Sequence, residues 1–173
     1  MKKSPDTTSN SLEKLNELLH GIKYCMMTTV EQDGSMRSRP MYTQEEEFDG
    51  ELWFFTGLDS AKVEEIQAEH RVNLSYIGDG HKKFVSVSGH AKVVHDRAKM
   101  TELWKPYYKA WFPGGLDDPN LCLLKVEVDY AEYWDTPTSP LAHLVGFVKA
   151  VTGGGPQKIG ENQKVEVSPG GQP

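Results

Sequence analysis

Three strand signals crowd into the stretch between Tyr24 and Thr56, with short connections between them. Tyr24–Val30 (YCMMTTV) is rich in residues that fit a pleated sheet. Asp33-Gly34 follows, a strong tight-hairpin signal, and residues 35–43 read as the return strand. The acidic segment 44–49 ends in a second turn signal, Asp49-Gly50, and residues 51–56 read as a third strand. A doubly wound parallel sheet needs strands and helices to alternate. Three strands in a row refuse that pattern and predict an antiparallel sheet.

The rest of the chain adds helices around this sheet. From Ser11 the apolar residues Leu12, Leu15, Leu18, Leu19 and Ile22 recur at helical spacing, with Asn10 and Glu13 spaced as a capping box and Gly21 near the stop. Residues 60–69 predict a helix with Val63, Ile66 and Ala61 inward, and Arg71–Ile77 a strand that turns at Gly78-Asp79-Gly80. Residues 84–94 predict a long strand with a bulge or close approach at Gly89. Asp96 can cap a helix over 97–111, broken at Pro106. Residues 121–133 read as a strand, 141–151 as an apolar helix and 164–167 as a short strand. The expected fold class is mainly β with peripheral helices, the antiparallel sheet closing into a barrel. The expected layout is a flexible N-terminus at 1–10, one domain at 11–151 and a Gly/Pro-rich tail at 152–173.

Composition narrows the partners. The 173 residues suit a single domain, and 38% hydrophobic content can fill its core. A net charge of −6 argues against nucleic acid and anionic membrane surfaces. No apolar run is long enough to span a membrane. The N-terminal lysines precede no apolar stretch, so no secretory signal is expected and a cytoplasmic location is. Cys25 and Cys122 fall in strand-like apolar runs and read as buried free thiols. The six histidines show no metal-ligand spacing, and no metal is expected.

Chemistry concentrates in two short runs. On an extended strand Arg37, Arg39 and Met41 share one face, and Ser38, Pro40 and Tyr42 the other. Two guanidiniums side by side repel unless an anion joins them, and arginine grips phosphate well. The plain alternative is exposed arginines paired with Glu45, Glu46 and Glu47. Pro40 cannot donate to a ladder, which suits an edge strand. After the strand end at Phe55-Thr56, a helix starting at Ser60 offers free N–H groups, a hydroxyl and the Lys62 ammonium to an anion. The plain alternative there is Ser60 as an ordinary N-cap. Trp104, Tyr107, Tyr108, Trp111 and Phe112 form an aromatic stretch that suits core packing, a partner surface or a lid equally.

In combination these runs resemble a known family. Arg37-Ser38-Arg39-Pro40-Met41, Trp53-Phe54-Phe55-Thr56, Ser60-Ala61-Lys62 and Arg71-Val72-Asn73-Leu74-Ser75, in that order and spacing, resemble the FMN-binding split-barrel proteins of the pyridoxamine 5′-phosphate oxidase superfamily. The run from Trp111 to Asn120 (WFPGGLDDPN), with Glu132-Tyr133-Trp134-Asp135, is similar to the general stress protein 26 branch. The resemblance implies a split β-barrel and a homodimer with FMN at its interface. It implies that Arg37 and Lys62, helped by Ser60, meet the FMN phosphate, with Arg37 and Arg39 treated as a pair. Arg39, Pro40 and Met41 would line the flavin ring, with Ser38 and Ala61 inside the two binding runs. Phe55 and Thr56 would flank the ribityl chain, and a partner aromatic, Trp134 or Trp111, would close the site. The oxidases' C-terminal Arg-x-His has no counterpart in the end Tyr133-Trp134-Asp135-Thr136-Pro137-Thr138-Ser139-Pro140, so vitamin B6 oxidation is not implied. The implied function is an FMN-dependent oxidoreductase acting on a small molecule in a stress setting. The alternatives are an FMN store or sensor without turnover, or a barrel that uses its aromatic surface for protein contact and binds no cofactor.

Overall fold

The computed structural model describes residues 7–78, 83–135 and 161–167. Seven strands run in chain order: β1 (Tyr24–Val30), β2 (Met36–Tyr42), β3 (Glu51–Gly57), β4 (Arg71–Ile77), β5 (Lys83–Val94), β6 (Leu121–Asp135) and β7 (Glu161–Glu166). All their pairings are antiparallel. Their order is β2-β1-β4-β5-β6-β3, with β7 added to β6. The hairpin expected at Asp33-Gly34 joins β1 to β2, with Gly34 at φ 83°, a left-handed conformation that glycine adopts without strain.

The second turn signal does something else. Asp49-Gly50 closes no hairpin with β2, because β3 crosses to the far edge and pairs with β6, Phe54 opposite Leu124. The side chains of β3 explain the choice. Phe54 and Phe55 point to opposite faces, and both are buried. Phe54 fills the barrel with Met27, Leu74, Val85, Val87, Leu124 and Val126. Phe55 enters a smaller second core outside the sheet, with Leu121, Leu123, Met100, Leu103 and Tyr108. Only beside β6, under the segment 97–110, are both faces of β3 covered. The sheet therefore curls into a split barrel whose outermost strands, β2 and β3, stay unpaired with each other.

Among the described residues three α-helices flank the sheet: α1 (Thr7–Leu19), α2 (Ala61–Ala68) and α3 (Arg97–Leu103). A lone helix of this length is marginal in water. α1 is held by Leu15 and Leu18, at 0% and 1% exposure, each contributing about 1.5–3 kcal/mol on burial. It starts one turn before the expected Ser11, which puts Asn10 and Glu13 inside the helix rather than at its cap. Thr7, Thr8 and Ser9 each cost under about 0.7 kcal/mol in a helix, so tertiary packing shifts that boundary readily. On α2, Val63 and Ile66 face the core as expected, whereas Ala61 is exposed.

Asp96 caps α3 by accepting from the Lys99 N–H at 3.0 Å. The expected break arrives on schedule: Lys105 is extended ahead of Pro106, and Pro106–Ala110 resumes as a 3₁₀ turn. β7 begins three residues before the expected 164, and the helix expected at 141–151 lies outside the described residues. Cys25 and Cys122 are free and buried. Burial pushes both thiols up to about 11, which makes them unreactive at neutral pH. No described helix is long and apolar enough to cross a membrane.

The pairing of β5 with β6 shifts register between Ser88 and Gly89, as a bulge. A Cβ at Gly89 would collide with the backbone carbonyl of Glu127. Backbone cannot swing aside, so Gly89→Ala should lower stability by about 2 kcal/mol or more. Urea unfolding measures this, and an unchanged midpoint would contradict the packing described.

Candidate functional site

The unpaired edges of β2 and β3 form the walls of a cleft of about 490 Å³. Pro40, Met41 and Tyr42 come from β2, and Phe55 and Thr56 from β3. Ser60 and Lys62, where α2 begins, close one end. Tyr108, Trp111 and Phe112 form the opposite, aromatic wall. Small-molecule pockets span roughly 300–1,000 Å³ and are mostly apolar with a few convergent polar groups, as here.

Ser60 occupies the N-cap position of α2 in an extended conformation, yet its side chain does not cap the helix. Its hydroxyl instead lies 3.3 Å from Thr56 Oγ1. The Lys62 ammonium donates to the same Thr56 Oγ1 at 2.9 Å. Among the described residues no carboxylate lies within 4.0 Å of that ammonium. Burial lowers its pKa, and the neighbouring Arg39 charge pushes the same way. A cation in the first turn of a helix is itself unfavourable, by about 0.3–1 kcal/mol when exposed. Glu65 and Asp59 attract the Lys62 ammonium from farther off, so it has opposite charge nearby but none in contact.

Arg39 sits behind the corner rather than in the cleft lining. Its Nη2 is 2.6 Å from Glu65 Oε2, and its Nη1 donates to the Thr29 hydroxyl. Arg37 is more exposed, 3.7 Å from Glu31 Oε1 and 4.0 Å from Glu65 Oε1. The arginine partners are thus Glu65 and Glu31, not the Glu45 to Glu47 run. Glu46 of that run pairs instead with Lys99 of α3, at 3.2 Å.

Seven of the residues singled out in the sequence line the cleft together: Pro40, Met41, Phe55, Thr56, Ser60, Lys62 and Trp111. Arg37, Ser38, Arg39, Ala61 and Trp134 do not. Ser38 faces the outer side of the sheet, its hydroxyl 2.7 Å from Thr28 Oγ1. Trp134 lies opposite Phe84 on β5, 39% exposed.

Sequence reasoning missed Tyr42, Asn120, Thr29 and Glu65. Tyr42 ends the Arg37 run, and its contact with Tyr107 (3.2 Å between hydroxyls) is the main cause that pushes its phenol up to about 12. Asn120 ends the Trp111 run; its amide exchanges hydrogen bonds with Asp59 and fixes the loop before α2. Both signals were present in the quoted runs. Thr29 and Glu65 carry no local signal. Tyr108, left open between core and lid, packs under Phe55 with ring centroids 4.9 Å apart and donates to Gln44 Oε1 at 2.7 Å.

The cleft suits an elongated, partly planar ligand with an anionic end. Its walls are mostly apolar and aromatic, with Asp59 and Asp118 also in the lining, and an anion at the Lys62 end would give that ammonium a charged partner in contact. No described group of His, Cys, Asp and Glu could hold a metal ion.

Known proteins share this fold and part of this sequence. The family described as "Pyridoxamine 5'-phosphate oxidase like" matches residues 10–157. Protein bli-3 of Neurospora crassa is 26% identical over 166 residues, covering 88% of this chain and 79% of that protein. The general stress FMN/FAD binding protein from the phytopathogen Xanthomonas citri is 34% identical, with a TM-score of 0.66 over 76% of this chain and 93% of that one. A protein related to general stress protein 26 from Clostridium acetobutylicum shares the fold at 20% identity, with a TM-score of 0.68 over 94% and 96% of the two chains.

The state of Lys62 has a measurable consequence. Its folded pKa lies below its unfolded value, so the charged group opposes folding at neutral pH and that penalty fades as pH rises through the folded pKa. Lys62→Met should therefore leave urea stability at pH 7 unchanged or raise it by up to about 1 kcal/mol. A loss of more than about 1 kcal/mol would show that the ammonium is structural.

Proposed function

Because the chain belongs to the pyridoxamine 5′-phosphate oxidase like family, we propose that it binds FMN in the cleft between β2 and β3 and works as an oxidoreductase on a small molecule. The observation that carries this is the Lys62 ammonium, part-buried at the start of α2 with no described carboxylate in contact. The Xanthomonas citri relative, described as a general stress FMN/FAD binding protein, supports the same reading.

The residues present fit such a group. Lys62, the Ser60 hydroxyl and the uncapped N–H groups of α2 would hold the phosphate. Thr56 and Phe55 would lie along the sugar chain, and Pro40, Met41 and Tyr42 would face the ring system. FMN would supply hydride or single-electron transfer, chemistry that no side chain in the cleft offers. The protein's own part is to bind, to orient and to keep water out with Tyr108, Trp111 and Phe112. The Tyr42 and Tyr108 phenols, both raised above their ordinary pKa, stay protonated; Tyr108 spends its proton on Gln44, whereas Tyr42 accepts from Tyr107 and can donate its own to ring or substrate.

A second copy of this chain is the proposed partner. Exposed apolar side chains run across the outer face of the sheet: Tyr24 and Met26 on β1, Ile77 on β4, Phe84 on β5 and Trp134 on β6. Ile77 is opposite Phe84, and Phe84 opposite Trp134. Such a stripe marks an interaction surface. It reaches the cleft at Tyr24, which belongs to both, so a partner seated there would border the flavin.

Freshly purified protein should be yellow, releasing FMN on denaturation. Lys62→Met should weaken FMN about 10- to 100-fold, the worth of one charge-assisted hydrogen bond, and leave riboflavin affinity unchanged. As an oxidoreductase, the bound flavin should bleach under a reduced nicotinamide nucleotide without oxygen and recover with an acceptor; a flavin that never bleaches would favour the storage or sensor role. Colourless protein that ignores added FMN would sink the proposal. Sedimentation velocity tests the partner: wild type should run as a dimer and Ile77→Glu as a monomer, and a monomeric wild type would contradict the assignment.

A further inference from the structure

Glu65 is an acidic side chain buried at 7% exposure. Its neighbour Glu64 faces solvent. Glu65 Oε2 receives the Thr29 hydroxyl at 2.5 Å and Arg39 Nη2 at 2.6 Å, while Oε1 faces Arg37 at 4.0 Å. Thr29, itself 0% exposed, also accepts from Arg39 Nη1. Carboxylate, hydroxyl and guanidinium thus form a closed set behind the cleft.

Lys62 and Glu65 lie three residues apart on α2 and so share one side of the helix. One short helix therefore carries both the ammonium at the cleft and the carboxylate that holds the nearest arginine. Without that carboxylate, Arg37, Arg39 and Lys62 would have no buried anion between them, and long cationic side chains in that position turn out to water. With it, Arg39 spends two N–H groups on Thr29 and Glu65 and its charge stays held behind the cleft.

We propose that Glu65 is a positioning residue for anion binding: it fixes Arg39 behind Lys62, outside the cleft lining, so that the guanidinium charge adds to that of the ammonium at the phosphate end. The assignment rests on the flavin-nucleotide reading above. Glu65 acts as an anion at neutral pH. Burial pushes its carboxyl up, but the hydrogen bonds from Thr29 and Arg39 and the charges of Arg39 and Arg37 outweigh that and leave it below its ordinary value. A purely architectural role, pinning α2 to β1 and β2, would affect every ligand of the cleft alike. A positioning role affects only ligands that carry the phosphate.

Dissociation constants for FMN and riboflavin, measured by flavin fluorescence on full-length wild type, Glu65→Ala and Glu65→Gln, separate the two. Glu65→Ala should weaken FMN about tenfold or more with riboflavin unchanged. Glu65→Gln, which keeps an acceptor for Arg39 and Thr29, should retain most of the wild-type preference for FMN. Thr29→Val is measured alongside, because it keeps the carboxylate and remains informative if Glu65→Ala fails to fold; it should reduce the preference by a smaller factor. A preference unchanged in Glu65→Ala, or in Thr29→Val when the first variant does not fold, overturns the assignment, as does parallel weakening of both ligands. A wild type that binds neither flavin overturns the flavin reading itself. A wild type that binds both equally overturns the phosphate placement at Lys62.

Discussion

Two cations, Arg39 and Lys62, sit at one part-buried corner with Glu65, the one carboxylate buried among the described residues, and the more exposed Arg37 reaches that carboxylate at 4.0 Å. That charge imbalance is the constraint on which the account depends. Two unit charges 4 Å apart interact by about 4 kcal/mol at an effective dielectric of 20, and stripping an ion of water costs several kcal/mol. Arg39, paired at 2.6 Å and bonded to Thr29, can meet that cost. Lys62 has only a neutral hydroxyl as its close partner. The fold holds the Lys62 cation part-buried with no described carboxylate in contact, which suits a site that receives an anion.

The architecture explains how such a corner arises. A sheet that closed fully would pair β2 with β3 and leave no cleft. β3 instead pairs with β6, because Phe54 and Phe55 need cover on both faces. The same choice brings the aromatic segment Tyr107 to Phe112 over the gap, since that segment forms the outer cover of β3. The second core therefore builds one wall of the cleft, and α2, following directly on β3, delivers Lys62 and Glu65 to its end. The bulge at Gly89 lets β5 run against β4 and β6 together while the ribbon bends.

Local features were legible in the sequence. The Tyr24–Val30 strand, the Asp33-Gly34 hairpin, the Asp96 cap, the break at Pro106 and the bulge at Gly89 all depend on side chains near one another along the chain. Pro40, Met41, Phe55, Thr56, Ser60, Lys62 and Trp111, singled out mainly through resemblance to a family pattern, line one cleft. What could not be read was long-range. Nothing near Asp49-Gly50 says that β3 abandons β2. Glu65 follows Glu64 and looks like another solvated helix carboxylate; only the curl of the sheet puts Arg39 and Thr29 against it. The strand period gives the face of Arg39, but the carboxylate that pairs with it there is supplied by long-range packing.

The central claim is that Lys62, with the Arg39 charge behind it, serves one phosphate dianion. A ³¹P NMR titration of the FMN complex tests it directly, because a phosphate monoester free in water takes up its second proton near pH ~6. Held by Lys62 with the Arg39 charge behind it, the bound phosphate should stay dianionic well below that pH, with its resonance flat from neutral to about pH 5. A bound phosphate that titrates at the free value would mean that the corner does not grip it, and the account would fall.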